Sequence, residues 1–185
     1  MRDALGTGTG ALSKASAVVP LGGRLAELLD VQREDLVVGL GGGSFGHCLA
    51  LLEWVSLRYQ MVLVDASPRR LARLAHVAGV RATEMGPLEF TRYPIQWDRL
   101  VLDDLLAADT DVANELLPLL FQRLRPSGRM AAVLATSGLP PSAVLQRSMG
   151  MAARLRSAGF EVAIDAGQPV ADCHDIVLGV KRAAA

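Results

Sequence analysis

Residues 36–46 read Leu-Val-Val-Gly-Leu-Gly-Gly-Gly-Ser-Phe-Gly, LVVGLGGGSFG. Leu36, Val37, Val38 and Leu40 make an apolar run of the kind buried in a parallel strand, and three successive glycines can then take backbone angles closed to other residues. The chain must turn sharply there before it continues as a helix from Ser44 to Arg58. Free N–H groups and the dipole at the start of a helix favour an anionic or electron-rich ligand, and missing side chains let that ligand touch the backbone. The stretch reads as the floor of a nucleotide-type pocket. Gly41, Gly43 and Gly46 fit G-x-G-x-x-G, a pattern that counts only with its strand, its helix and an acidic partner. Glycines that merely let a helix pack closely on a strand are the alternative.

The acidic partner follows. Gln60 to Asp65 (QMVLVD) reads as a second strand ending in a carboxylate roughly 20 residues beyond the glycines, where it can accept hydrogen bonds from both ribose hydroxyls. Asp65-Ala66-Ser67-Pro68 also reads as a helix entry with Asp65 as its cap. Both roles stay open, and one residue can hold both.

The 185 residues form one domain long enough to bury a sizeable core. The formal net charge is zero, so neither a nucleic-acid partner nor an acidic membrane surface is indicated. Lys14 and Lys181 are the only lysines among the cations. Apolar residues make up 51% of the chain and the mean hydropathy is +0.30, high for a solitary domain and suggestive of a homo-oligomer or a protein partner. No apolar run approaches the ~20 residues of a membrane span. Residues 1–20 read as a flexible arm, with a mitochondrial targeting segment as the alternative. Cys48 and Cys173 make no disulfide framework and suit a reducing compartment such as the cytoplasm.

Along the chain, Gly22 to Asp30 reads as a short helix leading into the first strand. Ser67 and Pro68 open a helix to Val77, with serine capping it and proline at its first position. It points Arg69, Arg70 and Arg73 outward and ends at Gly79. Val80 to Met85 is a third strand and Asp98 to Asp103 (DRLVLD) a fourth, and the short segment between them has room for one helical turn or none. Thr110 to Leu124 is an amphipathic helix broken at Arg125-Pro126-Ser127-Gly128. Arg129 to Thr136 is the fifth strand, and Pro140-Pro141-Ser142 opens a helix to Ser157. Phe160 to Ala166 and Asp175 to Val180 follow with no helix between them, so they pair antiparallel. Strands alternating with helices and closing in a hairpin give an α/β fold, a doubly wound, mostly parallel sheet with one reversed strand.

From Leu21 to about Arg182 the chain resembles the class I S-adenosylmethionine-dependent methyltransferases. The resemblance rests on LVVGLGGGSFG, VLVDASPRRLARL, WDRLVLDDLL, LLPLLFQRLRPSGRMAAVLAT, LRSAGFEVAI and the closing hairpin, in that order and spacing. It implies a Rossmann-like seven-stranded sheet, with residues 21–185 as one domain of that family and S-adenosylmethionine as cofactor. Gly41 and Gly43 would lie under the amino-acid portion of the cofactor, Asp65 against the ribose, and Met85 and Gly86 against the adenine. The implied binding set is Gly41, Gly42, Gly43, Ser44, Gly46, Asp65, Ala66, Met85, Gly86 and Asp103. The methyl carbon is already activated by the sulfonium, so the protein mainly aligns an acceptor and excludes water. Asp103 or Asp104 is the catalytic candidate for orienting or deprotonating that acceptor, with His47 a further one. The bland readings are helix caps or solvated aspartates, and a packed helix histidine.

Three departures from the family pattern stand out. Gly39 replaces the usual acid that helps anchor the methionine ammonium, Phe45 replaces the third glycine, and Gly86 stands where an acid or amide commonly contacts adenine. They keep open a second reading, a catalytically inactive member serving as a binding or assembly subunit. A nicotinamide-binding Rossmann protein would share the glycines and Asp65 but needs a catalytic domain for which no residues remain. His47-Cys48 and Cys173-His174 offer zinc-type ligands, but the expected sheet separates them by several strands at ~4.8 Å each. The sequence does not name the methyl acceptor.

Overall fold

The computed structural model describes residues 21–42, 44–55, 60–74, 76–103, 110–165 and 174–183. Seven strands form one sheet in the order β3-β2-β1-β4-β5-β7-β6. They are β1 (Val37–Leu40), β2 (Met61–Asp65), β3 (Val80–Glu84), β4 (Trp97–Asp103), β5 (Leu124–Ala135), β6 (Glu161–Asp165) and β7 (His174–Val180). The first five are mutually parallel and β7 runs antiparallel to both β5 and β6. The doubly wound sheet with a reversed strand is thus the observed fold.

Strand β1 lies at the centre with all four residues buried, and alternation sends its side chains to opposite faces. Val38 and Leu40 join Val64, Leu100 and Leu102 in one core, covered by α5 (Thr110–Arg123) and α6 (Pro141–Ser157). Val37 joins Met61, Leu63 and Val101 in the other, which also takes residues of α1 (Leu21–Leu29), α2 (Ser44–Leu49) and α3 (Pro68–Ala72). The β3–β4 crossover holds the single turn α4 (Pro87–Phe90). A groove of about 170 Å³ remains beside it, bordered by Val38, Val62, Met85, Phe90, Tyr93 and Ile95.

The structure corrects three local expectations. The helix after the glycines ends at Leu49, and residues 50–54 continue as tight turns, with the N–H groups of Leu51 and Leu52 donating three residues back. Here α1 crosses very closely, since a Cβ at Gly22 would fall 2.5 Å from the Ala50 Cβ. The helix after Pro68 likewise ends at Ala72, with turns at residues 73–74 and 78–79, and Gly79 has φ +87°. In β5, Leu124 pairs with Trp97 while Arg129 pairs with Arg99. Residues 125–128 therefore loop out of the ladder around Ser127 at φ +64°, and the expected break is a bulge within a longer strand.

Ion pairs gather at the amino edge of the strands. Arg99, 7% exposed, lies 3.1 Å from Asp35 Oδ2 and donates to the Asp30 carbonyl at 2.8 Å. Arg125 pairs with Asp98, whose Oδ2 accepts the Leu36 N–H. Burial is the largest influence on Asp35 and raises its pKa, against the lowering by the Gln32 N–H and Arg99.

Lys181 closes α5 from the end of β7. Its Nζ donates to the carbonyls of Phe121 and Leu124 at 2.8 and 2.7 Å and lies 4.9 Å from the Phe121 ring centroid. The last carbonyls of a helix lack partners within it, and a lysine here supplies them. Lys181→Met should lower the unfolding free energy by about 1–3 kcal/mol, as read from urea denaturation.

Candidate functional site

Four strand ends line up at the carboxyl edge of the sheet. Leu40 pairs with Val64 and with Leu102, so Gly41, Asp65 and Asp103 stand in one row. Asp65 in turn pairs with Glu84, which puts Met85 and Gly86 just beyond it. The sequence candidates thus converge from four separate strands. Gly43 and Asp104 lie outside the described residues, and Asp103 is described as the last backbone position of β4.

The bend is fixed from both sides. Gly41 has φ +89°, a conformation that costs any residue with a Cβ. Its N–H donates to the Val64 carbonyl at 3.0 Å, and its carbonyl accepts the Ser44 N–H at 3.1 Å and the Ser44 hydroxyl at 2.7 Å. Ser44 is fully buried, and both its N–H and its hydroxyl are spent on the Gly41 carbonyl, so the residue serves the bend.

Asp65 is 3% exposed and its Oδ1 carries two contacts. The Ser67 N–H donates to it at 2.6 Å, and Arg70 Nε lies 3.4 Å away. The turn into α3 is therefore held by the aspartate, whereas Ser67 makes no side-chain cap bond. Arg70, 48% exposed along its side chain, folds back over the bend. A Cβ at Gly42 would lie 2.4 Å from its Cδ, so Gly42 is the surface on which the arginine stem rests. The helical pattern assigns Arg70 no role beyond facing outward; its spacing of five residues from Asp65 is the available signal.

At the end of β3, the Met85 N–H donates to the Asp65 carbonyl at 3.0 Å. Gly86 precedes α4, and a Cβ there would meet nothing within 4 Å, as at Gly46. Ala66, directly after Asp65, is exposed. Beneath the bend the packing is tight instead. A Cβ at Gly39 would fall 2.5 Å from Cys48 Sγ and 2.7 Å from Leu63 Cδ2, so the missing family acid has no room. Burial pushes the Cys48 thiol up to about 12, which makes it packing and not a nucleophile. His47 sits half-buried on α2, and Cys173 is outside the described residues.

These residues fit an adenosine-bearing cofactor in outline: a side-chain-free bend, a buried carboxylate one strand away and open space beyond β3. Among the described residues, the Arg70 side chain lies over the bend and would have to move.

No family model and no curated protein matches the sequence. Solved structures do. The S-adenosylmethionine-dependent methyltransferase SibL superposes with a TM-score of 0.64 at 21% identity, over 86% of this chain and 53% of its own. This chain thus spans about half the length of SibL. The N-methyltransferase NodS from Bradyrhizobium japonicum WM9 gives 0.62 at 16% identity, covering 88% of this chain and 94% of NodS. The [4+2]-cyclase SpnF gives 0.64 at 14% identity, over 89% and 81% of the two chains. The chain has the class I methyltransferase fold. At these identities the likeness is one of fold, and SpnF shows that the fold also carries other reactions.

Because Cys48 and Leu63 fill the space under Gly39, Gly39→Asp should not restore a ligand anchor. It should overpack the core and bury a charge, lowering the unfolding free energy by at least about 2 kcal/mol in chemical denaturation.

Proposed function

We propose that the chain is an S-adenosylmethionine-dependent methyltransferase. The observation that carries this reading is the juxtaposition of the Gly41 bend with the buried Asp65 carboxylate on the neighbouring strand, at the edge where open α/β sheets bind ligands. Gly41, Gly42, Gly43 and Gly46 would accommodate the amino-acid end, with Ser44 bracing the bend through the Gly41 carbonyl. Asp65 would accept from the ribose hydroxyls, with Ala66 beside it, and Met85 and Gly86 would border the adenine. When bound, the cofactor supplies a methyl group already activated as a sulfonium. The chain's own part is to hold an acceptor in line with it and to keep water out. Asp103 and Asp104, at and after the end of β4, are the residues proposed to orient the acceptor or take its proton.

A nicotinamide-binding protein is less well supported, because β7 is inserted antiparallel between β5 and β6, unlike the usual dinucleotide-binding strand order. A subunit that keeps the fold without binding the cofactor is the second reading, favoured by Arg70 lying over Gly42. No helix among the described residues is long and apolar enough to cross a membrane. The exposed Leu145 and Met149 on α6 are consistent with a homo-oligomer or protein partner in a reducing compartment such as the cytoplasm, and the acceptor is a small molecule or a protein.

Calorimetric titration with S-adenosylmethionine and S-adenosylhomocysteine tests the reading. Binding should weaken at least about tenfold in Asp65→Asn, which keeps an acceptor for the Ser67 N–H but loses the charge. Folded wild-type protein that binds neither ligand would establish the second reading.

A further inference from the structure

The Asp65–Arg70 pair holds two groups at the same edge. The carboxylate faces the strand end where a ribose would be read, and the guanidinium stem lies on Gly42, in the bend assigned to the amino-acid end. Each partly satisfies the other, Arg70 Nε lying 3.4 Å from Asp65 Oδ1. Below the bend, Gly39 carries no side chain and Cys48, Leu63 and Ser44 occupy the space a Cβ would need. Among the described residues, the charged side chain lying on the bend is a cation, Arg70 of α3.

We infer that Arg70 is a specificity-determining residue for the proposed cofactor, exchanging Asp65 for the α-carboxylate of the ligand's amino-acid portion. This rests on the methyltransferase reading. A guanidinium can meet a carboxylate through two parallel, short N–H···O bonds, a better geometry than the present 3.4 Å approach through Nε. The side chain is half-exposed, so it can swing without disturbing the core. Departure of Arg70 uncovers Gly42 and at the same moment frees Asp65 for the ribose hydroxyls. One movement opens both ends of the site. A ligand with a ribose but no carboxylate must break the Asp65–Arg70 pair and replaces only half of it. Recognition is thereby tied to the carboxylate, and adenosine thioethers lacking an amino-acid tail are disfavoured.

The test compares S-adenosylhomocysteine with 5′-methylthioadenosine, which has the same nucleoside thioether without the amino-acid end, by calorimetry on wild type, Arg70→Ala and Arg70→Lys. Wild type should prefer S-adenosylhomocysteine by at least about tenfold. Arg70→Ala should lose most of that preference, weakening S-adenosylhomocysteine while leaving 5′-methylthioadenosine unchanged or tighter, and Arg70→Lys should recover part of it. Equal weakening of both ligands, or an unchanged preference in Arg70→Ala, would overturn the exchange while leaving the cofactor reading standing. Failure of folded wild type to bind either would overturn both. Thermal unfolding of each variant checks that it is folded.

Discussion

The architecture turns on the close approach of backbone to backbone at the end of β1. Gly39 must be bare because Cys48 and Leu63 already fill its side-chain space, and Gly41 must be bare because it sits at φ +89°. The two conditions have one origin: α2 starts immediately after the central strand and is drawn back against it. Hydrogen bonds from Ser44 to the Gly41 carbonyl, and from Gly41 to β2, then lock the turn. Everything proposed about ligand binding depends on this turn leaving its outer surface open.

The two edges of the sheet divide their labour. At the amino edge, Arg99, Asp35, Asp30, Asp98 and Arg125 form ion pairs that tie loops to strand starts. At the carboxyl edge, Asp65 is the buried carboxylate among the described residues, and its partner is the half-exposed Arg70. A pair fixed between buried groups resists rearrangement, whereas one with a long, exposed member can exchange partners at modest cost. The proposed site thus carries a pair that can rearrange, unlike the buried Arg99–Asp35 pair.

Much of this was legible in the residues. The apolar runs 36–40 and 60–65 ending in glycine and acid, the Pro-Pro start of α6, and the antiparallel pairing expected of β6 and β7 each reported local constraints that tertiary packing respected. The early ends of α2 and α3 were not legible, although α1, α5 and α6 kept their expected bounds to within a residue. The segment after Ser44 is apolar nearly all round, so its periodicity could not reveal that contact between Gly22 and Ala50 accompanies an early end to α2. Nor could composition show that Ser67 leaves the capping to Asp65, or that Arg70 folds inward over Gly42, because the conformation of a long arginine is decided by what surrounds it in three dimensions. The bulge at 125–128 read as a break because Pro126 and Gly128 carry the same signal for either outcome.

Amide chemical shifts recorded during titration with S-adenosylhomocysteine test the central claim most directly. The account predicts shifts concentrated at residues 41–46, at Asp65 to Arg70 and at Met85 and Gly86, with the amino-edge residues Asp30, Asp35 and Asp98 unmoved. Saturable shifts confined to another face of the sheet, such as the β6–β7 hairpin, with the Gly41 and Asp65 amides unchanged, would contradict it.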